Sequence, residues 1–345
     1  MRSSGRTSRL DAYFREKIAE GLSDCFDAAV IKDGELVYSF REGMSAPIDH
    51  GGEVIKPDDR FNVFSVTKPV TAALAVKLAE QRRISLEDPV MVYIPEYRFG
   101  KVTVKDLMIH TSGYDPQDRP KISWPVSNAE MDGYFSSILD LDIKYSPGER
   151  SDYTTYGYSL LMKIIEKAAD KSFEGFASEE LFTPLGMKHS TFEAGKCKGR
   201  YVLPWDDTEK CFLGRFAGTP PTGDIGLLTN ARDTALFGSV FTTGRKNTDR
   251  KVFSETGREL MLTDQTGGRF NRTAGFWIKG SKDLFGCFGE RCSERAVGHV
   301  GLSGCMLITD PLYNISIAVI TNSLRLGRDW NNYKVICDYI MSMWC

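Results

Sequence analysis

Apolar residues recur every fourth position at Leu10, Phe14 and Ile18, which predicts an amphipathic helix from about Ser8 to Leu22. Two short apolar runs come next, Phe26 to Lys32 and Glu35 to Phe40. Asp33-Gly34 lies between them, the pairing expected of a tight hairpin. Gly51-Gly52 and Pro57 mark a loop. Val70, Leu74 and Leu78 then form a helical stripe in a segment rich in Ala, Leu and Lys. Pro89 and Pro95 break the next stretch of chain into short pieces. A short helix is predicted over Val104–Ile109, a loop over 115–127 and a helix from about Asn128 to Asp140. Leu160, Leu161, Ile164, Ile165 and Ala168 predict a helix over Tyr158–Lys171, and Phe182 to Met187 ends the next short one. Further on, a helix is expected near Asn230 to Thr242, with strands or strand edges at Ala274–Lys279 and Cys287–Gly289. Gly298–Thr309 and Asn314–Thr321 read as two antiparallel strands turned by Asp310-Pro311. Asp329 to Trp344 closes the chain as a helix with Val335, Ile336, Ile340 and Met343 on one face.

This order, with strands at both ends and helices between, predicts an α+β protein of two lobes. The terminal strands would share one antiparallel sheet, flanked by the N- and C-terminal helices. Residues 1–80 and 200–345 would form that discontinuous sheet domain, and residues 81–199 an all-helical one. A site would lie in the cleft between them. There is no internal repeat and no low-complexity segment.

Composition narrows the function. A formal net charge of -2 over 345 residues offers no electrostatic case for nucleic acid or an anionic membrane. No apolar run approaches a membrane span. The basic start, Met1 to Arg6, has no apolar core behind it, so no secretory leader is expected. The eight cysteines form no C-x-x-C pair and stand near no histidine at metal-ligand spacing. Hence no metal and no other cofactor are expected. Scattered cysteines in a large chain point to free thiols and a cytoplasmic location.

Three short segments carry chemistry. In Ser65-Val66-Thr67-Lys68, a serine at a helix start and a lysine one turn on share a face. A serine hydroxyl needs such a partner to become a nucleophile, and a helix start adds free N–H groups. An ordinary N-cap beside a solvated lysine gives the same four letters. Tyr153-Thr154-Thr155 comes after a Pro147-Gly148 turn, in a loop position that can face a cleft; packing alone also explains a tyrosine there. Gly298-His299-Val300-Gly301-Leu302-Ser303-Gly304 sets glycines inside a strand pattern, which marks close approach to the backbone. Two rivals fail. Gly301-Leu302-Ser303-Gly304-Cys305 ends in Cys where a nucleophile elbow has Gly, and no phosphate loop or dinucleotide fingerprint is present.

Taken in order, Ser65-x-x-Lys68, Tyr153-Thr154-Thr155 and His299-Val300-Gly301 resemble the three motifs of the serine β-lactamase and penicillin-binding-protein superfamily. The similarity is to its class C β-lactamase, family VIII esterase and D,D-peptidase-like branches. The connectors Leu107–Gly113, Pro184–Met187, Gly226–Asp233 and Gly298–Pro311 fit as well. The resemblance implies a β-lactamase/transpeptidase-like fold. Ser65 would be the nucleophile, with Lys68 and Tyr153 sharing proton transfer. The backbone N–H groups of Ser65 and Leu302 would form the oxyanion hole. Gln117, Thr155, His299 and Gly301 would contact substrate. Thr155 replaces the usual Asn, and His299-Val300 replaces Lys-Thr, which removes a fixed positive charge; Arg325 or Arg328 could supply it, the alternative being that both are solvated surface. The implied activity is ester or amide cleavage, or acyl transfer, on a small substrate through a Ser65 acyl-enzyme. The alternatives are a true β-lactamase or D,D-carboxypeptidase, and a non-catalytic acyl-binding sensor. Oligomeric state is not indicated.

Overall fold

The computed structural model describes residues 2–123, 125, 127–197, 199–214, 219–242, 252–280 and 286–345. Residues 124 and 126 of the expected 115–127 loop lie outside the described residues. The centre is a six-stranded antiparallel sheet built from both ends of the chain. Its strands are β1 (Cys25–Lys32), β2 (Glu35–Gly43), β3 (Trp277–Ile278), β4 (Val297–Val300), β5 (Met306–Asp310) and β6 (Ile315–Ile320). Their spatial order is β2-β1-β6-β5-β4-β3. The register pairs Asp27 with Ile320 and Lys32 with Ile315. Asp33 and Gly34 both adopt positive φ (54° and 84°), the twist that a two-residue hairpin turn requires.

Strands β1 and β6 are almost wholly buried because both sheet faces are covered. Side chains alternate across a strand. Ala28 and Val30 therefore face one way, packing with Leu10 and Phe14 of α1 (Arg2–Ala19) and Ile336 and Ile340 of the last helix. Ala29 and Ile31 face the other way, into a core shared with Ala235 and Phe237. That second core runs on through Leu74 to Leu107 and Leu161 of the helical region. Among the described residues, Gln81 to Gly199 holds no ladder strand, only helices, turns and isolated bridges.

Four helices beyond α1 matter for the site: α2 (Thr67–Glu80), α3 (Tyr156–Ala169), α4 (Ala231–Ser239) and α5 (Trp330–Trp344). Helix α2 is buried all round, with eleven of its fourteen residues enclosed. A stripe of Val70, Leu74 and Leu78 therefore understates it: α3 packs on one side, Glu255–Leu262 on another. The strand expected over Gly298–Thr309 is two strands, β4 and β5, folded back on each other by residues 301–305. Gly301 N–H donates to Cys305 O (2.8 Å), and Gly304 takes a positive φ of 81°. Cys287–Gly289 forms no strand, and only Trp277–Ile278 of Ala274–Lys279 does.

Candidate active site

The chain enters the site along a buried segment. From Phe61 to Val76 every residue is buried except Ser65, which stays partly open. A 3-10 turn, Phe64–Val66, leads into α2, so the Ser65 N–H falls in the first turn, where no intrahelical acceptor exists. Phe64 is held at φ 46°, a left-handed conformation that costs a bulky residue about 1–3 kcal/mol. Asn62 steadies it by accepting the Phe64 N–H on Oδ1 (2.8 Å).

Lys68 lies one turn beyond Ser65 and is 0 % exposed. Its Nζ donates to Ser65 Oγ (3.2 Å) and to the backbone carbonyl of Asp224 (3.3 Å). The carboxylate oxygen Oδ2 of Asp224, a residue 1 % exposed, stands 3.7 Å from the same nitrogen. The rings of Tyr153 and Tyr158 lie 4.9 Å and 5.7 Å from it. The segment carrying Asp224 is tied down on both sides. Thr71 Oγ1 donates to Gly223 O (2.6 Å), and Leu227 N–H donates to Thr67 Oγ1 (3.2 Å).

Tyr153 is half-buried in a loop pinned on His110. His110 O accepts the Asp152 N–H (2.9 Å), and its Nδ1 accepts the Thr154 N–H (3.4 Å). The Tyr153 ring stands 4.6 Å from His110, 5.8 Å from Trp277 and 6.1 Å from His299. His299 in turn stacks on Trp277 at 4.1 Å. A carbonyl oxygen only accepts, so His299 Nδ1–H donates to Val300 O (2.9 Å) and Nε2 keeps its lone pair. Burial, with Lys68 and Arg272 nearby, holds the His299 imidazole well below its usual range.

The 301–305 turn is pressed against the nucleophile's segment. A side chain at Gly301 would meet Val63 O at 2.2 Å, and Ser303 Oγ donates to Asn62 O (3.3 Å). Leu302, 53 % exposed, is the one open residue between Ala296 and Pro311. Thr155 sits at the N-cap position of α3 without a capping bond from its side chain. Gln117 is exposed on the loop that precedes the helix Met131–Leu139. That loop is fastened to α3, since Tyr156 Oη bonds Asp118 O and accepts from Arg119 Nη1 (3.2 Å).

The structure thus brings Ser65, Lys68, Tyr153, His299 and the Gly301–Leu302 turn to one place. Of the two readings of Arg325 and Arg328, the structure fits the surface one. Arg325 pairs with Asp207 and bonds Gly21 O, and Arg328 pairs with Asp206. The buried cation beside the site is instead Arg272, 2 % exposed, with its guanidinium 6.0 Å from the Tyr153 ring and Nε donating to Ser151 Oγ (3.1 Å). Asp224, Arg272, His110 and Trp277 were not singled out by sequence. Their only signal there is proximity to glycines or to a motif, and it does not reveal burial. Among the described residues no group of three His, Cys, Asp or Glu is placed to hold a metal, and no helix is long and apolar enough to cross a membrane.

Comparison with known proteins identifies the family and the fold. The family profile described as Beta-lactamase matches residues 10–334. N-acetylmuramyl-L-alanine amidase of Bacillus subtilis strain 168 is 25% identical over 371 aligned positions, covering 93% of this chain and 81% of that protein. The structure of EstCE1, a hydrolase with promiscuous acyltransferase activity, has TM-score 0.81 at 17% identity and covers 98% of this chain and 99% of that one. A family VIII carboxylesterase has TM-score 0.76 at 18% identity, covering 96% and 97%. The chain belongs to the beta-lactamase family and has the β-lactamase/transpeptidase-like fold of its serine hydrolases.

Proposed function

We propose that this serine hydrolase cleaves ester or amide bonds of small substrates, or transfers their acyl group, through an acyl-enzyme on Ser65. The observation that carries this is the 3.2 Å contact between Ser65 Oγ and a fully enclosed Lys68 Nζ. Ser65 Oγ attacks the acyl carbon and its proton passes into the Lys68–Tyr153 pair. The N–H groups of Ser65 and Leu302 receive the developing oxyanion. The leaving group departs with the proton, and water or an acceptor alcohol or amine then releases the acyl group. Gln117 and Thr155 stand at the rim for the acyl chain. The cleft lies between the helical residues 81–199 and the sheet formed by 1–80 and 200–345.

Uncharged esters and amides suit the site better than β-lactams or D-alanyl peptides. His299 is enclosed and held neutral, so it offers a carboxylate no fixed positive charge where the resembling motif has Lys. Arg272 is enclosed and bonded to Ser151, not open to a substrate's carboxylate. All eight cysteines are free thiols, which supports a reducing, cytoplasmic setting.

A fluorophosphonate probe tests the reading. Wild-type protein is expected to be labelled on Ser65 and Ser65→Ala to lose the label. Labelling of the alanine variant at the wild-type rate would remove Ser65 from the chemistry. Labelling that is never followed by turnover of 4-nitrophenyl esters would make the protein an acyl-binding sensor.

A further inference from the structure

Cys292 and Cys337 lie 45 positions apart in the chain, yet their Sγ atoms meet at 3.4 Å. Both side chains are buried, Cys292 in the turn before β4 and Cys337 on α5. Hydrogen bonds on both sides of Cys292 fix this contact. Asp338, the next residue on α5, accepts the Glu290 N–H on Oδ2 (3.0 Å) and the Arg291 N–H on Oδ1 (2.8 Å). Gly289 lets that carboxylate in, since a Cβ there would stand 2.2 Å from Asp338 Oδ1. After Cys292, Asp310 accepts from the Ser293 N–H (2.6 Å) and from Ser293 Oγ (2.7 Å). Two carboxylates thus clamp the turn that carries one thiol, and one of them is the chain neighbour of the other thiol.

The geometry points to a modification site here: Cys292 and Cys337 are a dithiol that a low-molecular-weight disulfide, such as oxidised glutathione, converts to an intramolecular disulfide. This site is separate from the Ser65 chemistry and does not depend on it. A disulfide holds its sulfurs about 2.05 Å apart, so closure from 3.4 Å asks for about 1.4 Å of approach, a distance that side-chain rotation supplies. The bridge joins α5 to the segment entering β4. Closing a loop of 45 positions also restricts the unfolded chain, which stabilises the folded one.

Cys292 reacts first, because Glu290 and Arg291 beside it are exposed while Cys337 is fully enclosed. As a thiolate, its sulfur attacks oxidised glutathione, breaks that S–S bond and releases one glutathione thiolate. The Cys337 thiolate then attacks the Cys292 sulfur of the mixed disulfide and releases the second. One disulfide bond breaks and one forms. The protein gives up two electrons and two protons, and the two glutathione molecules take them. Contact with Cys337 and burial both hold the Cys292 thiol above its ordinary range, so exchange at neutral pH is slow and waits for the 289–292 turn to open. The other buried thiols are placed differently. Cys25 Sγ donates to Asn322 Oδ1 (3.2 Å) and Cys305 Sγ to Thr321 O (3.3 Å). Cys287 and Cys345 also lie in the neighbourhood of Cys292, and they are the rival partners.

The test is oxidation of the full folded chain in buffers of rising oxidised-to-reduced glutathione ratio, then alkylation of the remaining thiols and mass spectrometry of a non-reduced digest. The expected product is a pair of peptides joined through Cys292 and Cys337, lighter by two hydrogens and separated again by dithiothreitol. The oxidised wild type should melt at least about 3 °C above its reduced form. Cys292→Ser and Cys337→Ser should each lose both the link and that rise. A second series in urea just below the unfolding midpoint opens the turn, so enclosure alone does not hide a competent pair. Absence of the Cys292–Cys337 link in both series overturns the proposal. Linkage of Cys292 to Cys287 or Cys345 in its place overturns it too, as does an oxidised form that melts below the reduced one.

Discussion

His110 and His299 flank Tyr153, and both imidazoles are held well below their ordinary range. Burial is the first cause for each; Arg272 and Lys68 then add like charge. Unfolded, each takes up a proton near pH 6.5; folded, neither does at that pH. The unfolded chain then binds more protons, so stability falls as pH drops through about 6.5 and is restored above it. Each histidine is expected to contribute to that loss between pH 7.5 and pH 5.5. Urea unfolding at the two pH values should show it, and His110→Gln should remove its share. An equal loss in the variant would mean that His110 titrates normally in the folded protein. At this scale, legibility depended on sequence distance. Ser65 and Lys68 are three residues apart, on a 3-10 turn and the helix it leads into, so their meeting could be read from the letters. Asp224 and Arg272 reach the same few ångströms from loops far along the chain. Nothing in a lone Asp or Arg distinguishes an enclosed charge from a solvated one, and so Arg325 and Arg328 looked equally eligible.

Among the elements, the turn between β4 and β5 decides most. An apolar run from Gly298 to Thr309 looks like one long strand, because period-two patterning continues across a tight reversal. The glycines that produce the reversal were visible, but their reason was not: Gly301 must let the backbone of Val63 approach. Gly301→Ala would set a Cβ 2.2 Å from Val63 O and push Leu302 away from Ser65. Removing one oxyanion donor costs about 10²–10³ in rate, and the labelling rate of Gly301→Ala should fall by about that much. Gly195→Ala, where an added Cβ meets nothing within 4 Å, serves as the matched control. A Gly301→Ala rate within about twofold of that control would release the turn from any part in the oxyanion hole. Helix α2 was legible in type but not in environment. Its stripe of three apolar residues predicts one buried face, yet neighbours on several sides enclose Thr67, Lys68 and Thr71 too.

Across the whole molecule, the first and last segments of the chain cover the same sheet face, and the last also reaches the site. Ile336 and Ile340 of α5 pack under the sheet beside Leu10 and Phe14 of α1. On the same helix, the buried Tyr333 Oη donates to Gly301 O (3.1 Å). The pattern of the C-terminal helix foretold the packing of Ile336, Ile340 and Met343 but wrongly put Val335 on that face, where it is exposed; this hydrogen bond, across 32 positions, lay beyond any periodic signal. It makes the C-terminal helix a support for the turn beside Ser65. Tyr333→Phe keeps the ring and its contacts and leaves a buried carbonyl without its donor, at a cost of about 1–3 kcal/mol. The variant should therefore unfold at lower denaturant concentration and label Ser65 more slowly. Tyr339 lies on the same helix but stacks on Tyr13 of α1, away from the turn. Tyr339→Phe should leave the labelling rate unchanged. Equal rates for both variants and the wild type would mean that α5 stabilises the sheet alone. A slower Tyr333→Phe with an intact Tyr339→Phe would show that the end of the chain helps to hold the oxyanion turn against the nucleophile.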